Sequence, residues 1–112
     1  MQHETGEPGL LRVLSEAILG RRMVTAQYNG AALNLAPHQV FLRHGALYLG
    51  AFNPDKTWRG PEDYRLGNFN FAGLSEVALT DASFEPIAAY DGSAPGEHDA
   101  VLVCVSQEAA AA

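Results

Sequence analysis

The sequence predicts a mainly β fold with one N-terminal helix, arranged as a small β-barrel or a strongly bent antiparallel sheet. Three observations predict it. Helical spacing of apolar residues is confined to the start of the chain, near Leu10–Ile18. A two-residue alternation takes over from about Val24 onward. The dipeptides Asn29-Gly30 and His44-Gly45 separate alternating runs as hairpin turns do, because both positions accept a positive φ. Short strands joined by tight turns expose unpaired edges, and bending or closing the sheet limits that exposure. A chain of 112 residues suits one domain, taken here as 9–106.

In order along the chain, residues 1–8 read as a flexible N-terminus. Leu10, Leu11, Leu14, Ala17 and Ile18 form the apolar stripe of a helix over 8–19, with Gly20 as its stop and Arg21 and Arg22 beside its negative end. Val24, Ala26 and Tyr28 share one strand face, and Leu33 and Leu35 return on the next strand. Pro37 cannot donate to a ladder and marks a strand end or bend. Val40 and Leu42 face Leu47 and Leu49 across a second hairpin. The polar stretch NPDKTWRGPED is a loop long enough to carry function. Extended structure resumes at Tyr64–Leu66. In SEVALT, Val77 and Leu79 point inward. Phe84 plugs a turn, and YDGSAPGEH is a connector. AVLVCV reads as a strand buried on both faces, or with one edge covered by a partner. An Ala-rich tail, 107–112, is expected to be flexible.

The charge is divided along the chain. Seven basic residues and six acids lie at or before Arg65, leaving +1. Seven acids and no Lys or Arg follow, leaving −7 and a total of −6. Net negative charge argues against indiscriminate nucleic-acid binding, while a local basic surface in the first part stays open. No apolar run approaches the ~20 residues that span a bilayer, and the polar, acidic start does not read as a secretory signal. A cytoplasmic protein without membrane contact is expected. Cys104 is the only cysteine, so no internal disulfide forms; placed among valines, it reads as a buried, inert thiol.

Catalytic and cofactor patterns are missing from the sequence. His3, His38, His44 and His98 show no metal-ligand spacing with one another or with carboxylates. There is no G-x-S-x-G, phosphate loop or dinucleotide glycine pattern, and the expectation is neither an enzyme nor a metal or cofactor protein. Glu62 and Asp63 read as solvated acids or partners of neighbouring Arg59 and Arg65. What remains is Tyr48, facing away from Leu47 and Leu49, and Arg65, facing away from Tyr64 and Leu66. If their strands lie close, an aromatic face and a guanidinium share one outer surface, suited to a base and a phosphate or carboxylate. Gly50 on the Tyr48 face leaves room for an approaching group. Alternatively, Arg65 pairs with a nearby carboxylate or carbonyl and Tyr48 packs under the loop.

The segments AILGRRMVTAQYNG, LAPHQVFLRHGALYLGAF, DYRLGNF and LSEVALTDASFEP, in that order, resemble the WYL domain over about residues 10–86. The resemblance implies an SH3/Sm-like β-barrel and a regulatory ligand-binding role of the kind found in bacterial transcription regulation. It places Tyr48 and Leu49 on the Tyr and Leu of the name motif, Arg65 on the first arginine of the RLxR strand, and His38 after the motif proline. Leu47 stands where the family has Trp, and Asn68 where it has a second arginine. Trp58, in the loop, is not the motif tryptophan but can swing over the same surface. Only about twenty residues precede the first strand, so this chain alone is not expected to bind duplex DNA sequence-specifically.

The expectation is therefore a stand-alone regulatory module binding a small anionic, nucleotide-like ligand or single-stranded nucleic acid. Tyr48, Arg65 and His38 would form the site, with Trp58, Arg59 and Asn68 as contributors. The alternative is a protein-interaction or self-assembly module, a homodimer or a regulatory partner's docking unit, without a small ligand.

Overall fold

A computed structural model describes residues 7–105. The expectations for the first six residues, including His3, and for the Ala-rich tail lie outside the described residues. Helix α1 (Glu7–Gly20) is followed by six strands: β1 (Arg22–Tyr28), β2 (Ala31–Arg43), β3 (Ala46–Phe52), β4 (Gly67–Asn70), β5 (Leu74–Ser83) and β6 (Ala100–Cys104). Single 3₁₀ turns cover Pro61–Asp63 and Phe71–Gly73.

The helix starts earlier than its stripe implied, at Glu7, so residues 7 and 8 belong to it. Leu14, Ala17 and Ile18 are fully buried, and Leu10 and Leu11 pack at the margin of the same core. Gly20 closes the helix as expected, but the left-handed residue behind it is Arg21, at φ 55°. Its N–H donates to Ile18 O, and its own carbonyl accepts from Phe84 N–H. The helix exit is thereby tied to the chain leaving β5.

Both hairpin turns form as read. Asn29 and Gly30, then His44 and Gly45, adopt positive φ, matching the right-handed twist of the strands they join. β2 is the central strand. Its first half pairs with β1, from Ala31↔Tyr28 to Leu35↔Val24. Its second half pairs with β3 on one side and β6 on the other. Pro37 does not end this strand. It sits at a register shift where Pro37 pairs with Ala51, Gln39 with Gly50, and His38 has no partner across the ladder. A bulge is where a proline is tolerated and a side chain is re-aimed. From Leu35 to Phe41 every residue of β2 is buried, because both faces of this stretch are covered.

The sheet is antiparallel throughout, in the order β4-β3-β2-β1-β5 with β6 against β2, and it does not close into a barrel. The closed form fails because β4 has only four residues and passes straight into the Phe71–Gly73 turn, so β4 and β5 share no ladder. Side chains bridge that gap instead. Tyr28 at the end of β1 packs edge-on against Phe69 of β4 at 5.0 Å, and its hydroxyl accepts from Asn70 N–H. The open sheet therefore curls as a strongly bent one does.

Two further strand readings are corrected. Extended pairing begins at Gly67, after Tyr64–Leu66, because the 3₁₀ turn at Pro61–Asp63 and a coil segment come first. Strand β6 is not buried on both faces: Val101 and Val103 are half-buried, whereas Ala100, Leu102 and Cys104 are exposed. Cys104 is consequently not a core thiol. In β5, Val77 packs on the core, but Leu79 is 39% exposed; Glu76, at φ 51°, accompanies a register shift against β1.

Candidate functional site

Tyr48 leaves β3 on the face opposite Leu49, as alternation requires, and stands between Phe41 of β2 and Asn70 of β4. What it meets there is the protein itself. Its ring stacks on Phe41 at 5.5 Å and 12°. The Arg43 guanidinium lies 5.1 Å from the Phe41 centroid and 5.2 Å from that of Tyr48. Arg43 in turn grips Asp99 through Nε–Oδ1 at 3.0 Å and Nη2–Oδ2 at 2.7 Å. The Asp99 side chain is only 5% exposed. This contact with Arg43 holds its carboxyl below the usual carboxylate range. Phe41 is completely buried yet lies outside the main apolar cluster. The four side chains form a second, smaller core that pins the start of β6 to the sheet.

His38 is also structural. Its side chain is fully buried, and each ring nitrogen has a main-chain partner. Nε2 accepts from Ile87 N–H at 3.0 Å, so Nδ1 carries the proton and donates to Ala36 O at 2.8 Å. Phe84 stacks on the ring at 5.1 Å, and Tyr90 meets it edge-on at 5.4 Å. Burial lowers its pKa below the ordinary imidazole value, against a smaller opposing effect of the Ala36 hydrogen bond. Tyr48 and His38, expected in the site, are both engaged in packing contacts within the protein. One is capped by Arg43, and the other is sealed under the 84–90 segment.

Arg65 stands differently. It is exposed, in coil just before β4, and its Nη1 donates to Tyr64 O at 2.7 Å and Glu62 O at 3.2 Å. Among the described residues no carboxylate lies within ion-pair distance of it. It borders two recesses. One, of about 330 Å³, is polar and is lined by Gln39, Asn68, Tyr90, Asp91 and Ser93 among others. Gln39 Oε1 accepts from the Tyr90 hydroxyl at 3.1 Å. Burial and the neighbouring Cys104 thiol raise the Tyr90 pKa, so the phenol stays protonated and donating. The space beside Gly50, expected to admit a ligand, is taken by Gln39: a Cβ at position 50 would lie 2.9 Å from Gln39 Cγ.

The second recess, of about 630 Å³, is mainly apolar, with Tyr28, Leu33, Trp58, Leu66 and Phe69 in its walls and Lys56, Asp63 and Arg65 at its polar points. Trp58 is fixed by its Nε1–H donating to Asn53 O at 2.8 Å and by contacts with Phe52 and Tyr64 at 5.4 and 5.5 Å. The Lys56 ammonium sits 5.4 Å from the Trp58 ring centroid. Of the sequence-predicted contributors, Asn68 joins Arg65 in the polar recess and Trp58 joins it in the apolar one. Arg59 lines neither and pairs with Asp63 at 3.6 Å.

Sequence reasoning missed Lys56, Gln39, Tyr90 and the Arg43–Asp99 pair. For Gln39 and Arg43 a signal existed, since both alternate with Val40 and Leu42 and so share the face of Tyr48. For Asp99, 56 residues away from Arg43, no local signal exists. No group of three or more His, Cys, Asp or Glu side chains is placed to hold a metal among the described residues. No described helix is long and apolar enough to cross a membrane. No family model, curated protein or solved structure matches the chain.

Proposed function

We propose that the chain is a non-enzymatic, WYL-like regulatory module that senses a small anionic, nucleotide-like ligand or single-stranded nucleic acid at Arg65. One observation carries the reading: an exposed guanidinium, oriented by two backbone carbonyls and without a carboxylate partner among the described residues, stands on the ridge between two recesses. A guanidinium so held presents its remaining N–H donors at little further ordering cost, which suits a phosphate or carboxylate. A non-catalytic role fits the surroundings, because His38, the buried histidine closest in kind to a general base, has both ring nitrogens engaged by the main chain.

Calorimetric titration with mononucleotides and short oligonucleotides tests it. Arg65→Ala should weaken binding by about 10- to 100-fold, the equivalent of one charge-assisted hydrogen-bonding group. Equal affinity of both proteins would remove Arg65 from the site.

A second reading, self-assembly or partner docking through β6, is favoured by the 52% exposure of Leu102 on a strand whose one ladder among the described residues is with β2. Light scattering separates the two: if β6 is the docking edge, Leu102→Lys should convert an oligomer into a monomer, and a wild type that stays monomeric at high concentration sinks self-assembly.

A further inference from the structure

We infer that the ligand of Arg65 lies in the apolar recess and is a flat aromatic ring carrying one anionic group, with the ring beside Trp58 and the anion toward Lys56 and Arg65. This rests on the reading of Arg65 just given and narrows it to one recess and one ligand class. The argument is first one of charge. The polar recess sets Arg65 against Asp91, whose carboxyl is held below the usual range by hydrogen bonds from the Ser93 hydroxyl and N–H. An anion entering there meets a fixed negative charge. The apolar recess offers two cations, Lys56 and Arg65, against one acid, Asp63, and Arg59 already faces that acid. No carboxylate among the described residues lies within ion-pair distance of the Lys56 ammonium; it rests over Trp58 instead.

The second argument is one of surface. Tyr28, Leu33, Trp58, Leu66 and Phe69 are each only partly buried, and all five converge on this one concavity. Its volume lies in the range that accepts small organic ligands. Aromatic walls stack a planar ring whatever its substituents. A ring alone would leave the cations unused, and a bare anion would leave the apolar walls wet. A nucleoside monophosphate and an aromatic carboxylate share the chemistry that satisfies both.

The protein has a single tryptophan, so its one indole N–H resonance reports directly on this recess. The test is an NMR titration with adenosine 5′-monophosphate, 4-hydroxybenzoate, adenosine and inorganic phosphate. The inference expects at least one of the two ring-plus-anion probes to shift the Trp58 signal and bind about tenfold or more tightly than adenosine or phosphate. Which of the two binds more tightly identifies the source of the anion. Lys56→Glu, at an exposed position, should weaken that binding at least about fivefold, and Asn68→Ala in the polar recess should leave it unchanged. Binding abolished by Asn68→Ala, with Trp58 unmoved, overturns the inference and leaves Arg65 as the anchor. Binding of an oligonucleotide without either small probe does the same, as does equal binding of adenosine or phosphate. If no probe and no oligonucleotide binds, the reading of Arg65 falls with it.

Discussion

At position 38 a histidine occupies the place of a core hydrophobe and meets two main-chain groups that need partners, one in β2 and one in the segment after β5. The imidazole supplies them, one nitrogen to Ala36 O and the other to Ile87 N–H. His38→Ala would leave both groups unpaired beside a cavity and should cost about 2–4 kcal/mol in urea denaturation. Its pH dependence follows from the lowered pKa. The unfolded chain takes up a proton near the ordinary histidine value of about 6.5, and the folded chain resists doing so. Stability is therefore full above that value and declines as pH falls through the window down to the lowered folded pKa. Denaturation midpoints at two pH values on either side of 6.5 should show wild type losing more than His38→Ala; parallel losses would assign the decline to other groups. Asp99 follows the same sign at lower pH, its carboxyl being depressed by Arg43. Asp99→Asn should lower the thermal midpoint at neutral pH, and the gap from wild type should close as pH falls below about 4. A constant gap would mean that the pair's charge does not matter.

At the scale of elements, what was legible followed local chemistry. The helix stripe, the Asn29-Gly30 and His44-Gly45 turns and the alternation of β1 to β3 each depend on residues within a few positions of one another. What was not legible depended on distant partners. β4, GNFN, is too short and polar to announce a strand, and it forms because β3 presents a free edge to it. The apolar run of β6 read as doubly buried or as covered along one edge by a partner, yet it lies on an edge with Leu102 and Cys104 exposed on one face. The candidate site shows the same division. Arg65, Trp58 and Asn68 stood out by residue type, but Arg65 and Leu66 become a ridge only because distant segments wall the two recesses, β1 to β4 with the 53–66 loop on one side and Gln39 with the 87–95 segment on the other. Tyr48 was placed on the correct face, and its cover, Arg43 with Asp99, could not be read locally.

Across the whole molecule, folding partly undoes the charge division of the sequence. Acids from the last third reach back to bases in the first half: Asp99 to Arg43, Asp81 to Arg22 and Glu85 to Arg21. The exposed pairs among these contribute little individually, but they leave Arg65 and Lys56 as cations without a described carboxylate partner. An interaction at those two should weaken with salt, because both heads are solvent-exposed. Repeating the ligand titration at low and high ionic strength checks this, and an affinity indifferent to salt would point to the apolar walls as the whole source of binding.

The unmatched residue in β2 has one more effect, on phase. Before it, odd-numbered positions such as Leu33 and Leu35 face the interior; after it, even-numbered ones such as Val40 do. Flattening the bulge with that residue kept in the ladder would impose uniform alternation and, with it, turn half of the strand inside out: either the leucines or the valine would be delivered to the wrong side. The chain thus spends one histidine to let two stretches of opposite polarity share a common backbone.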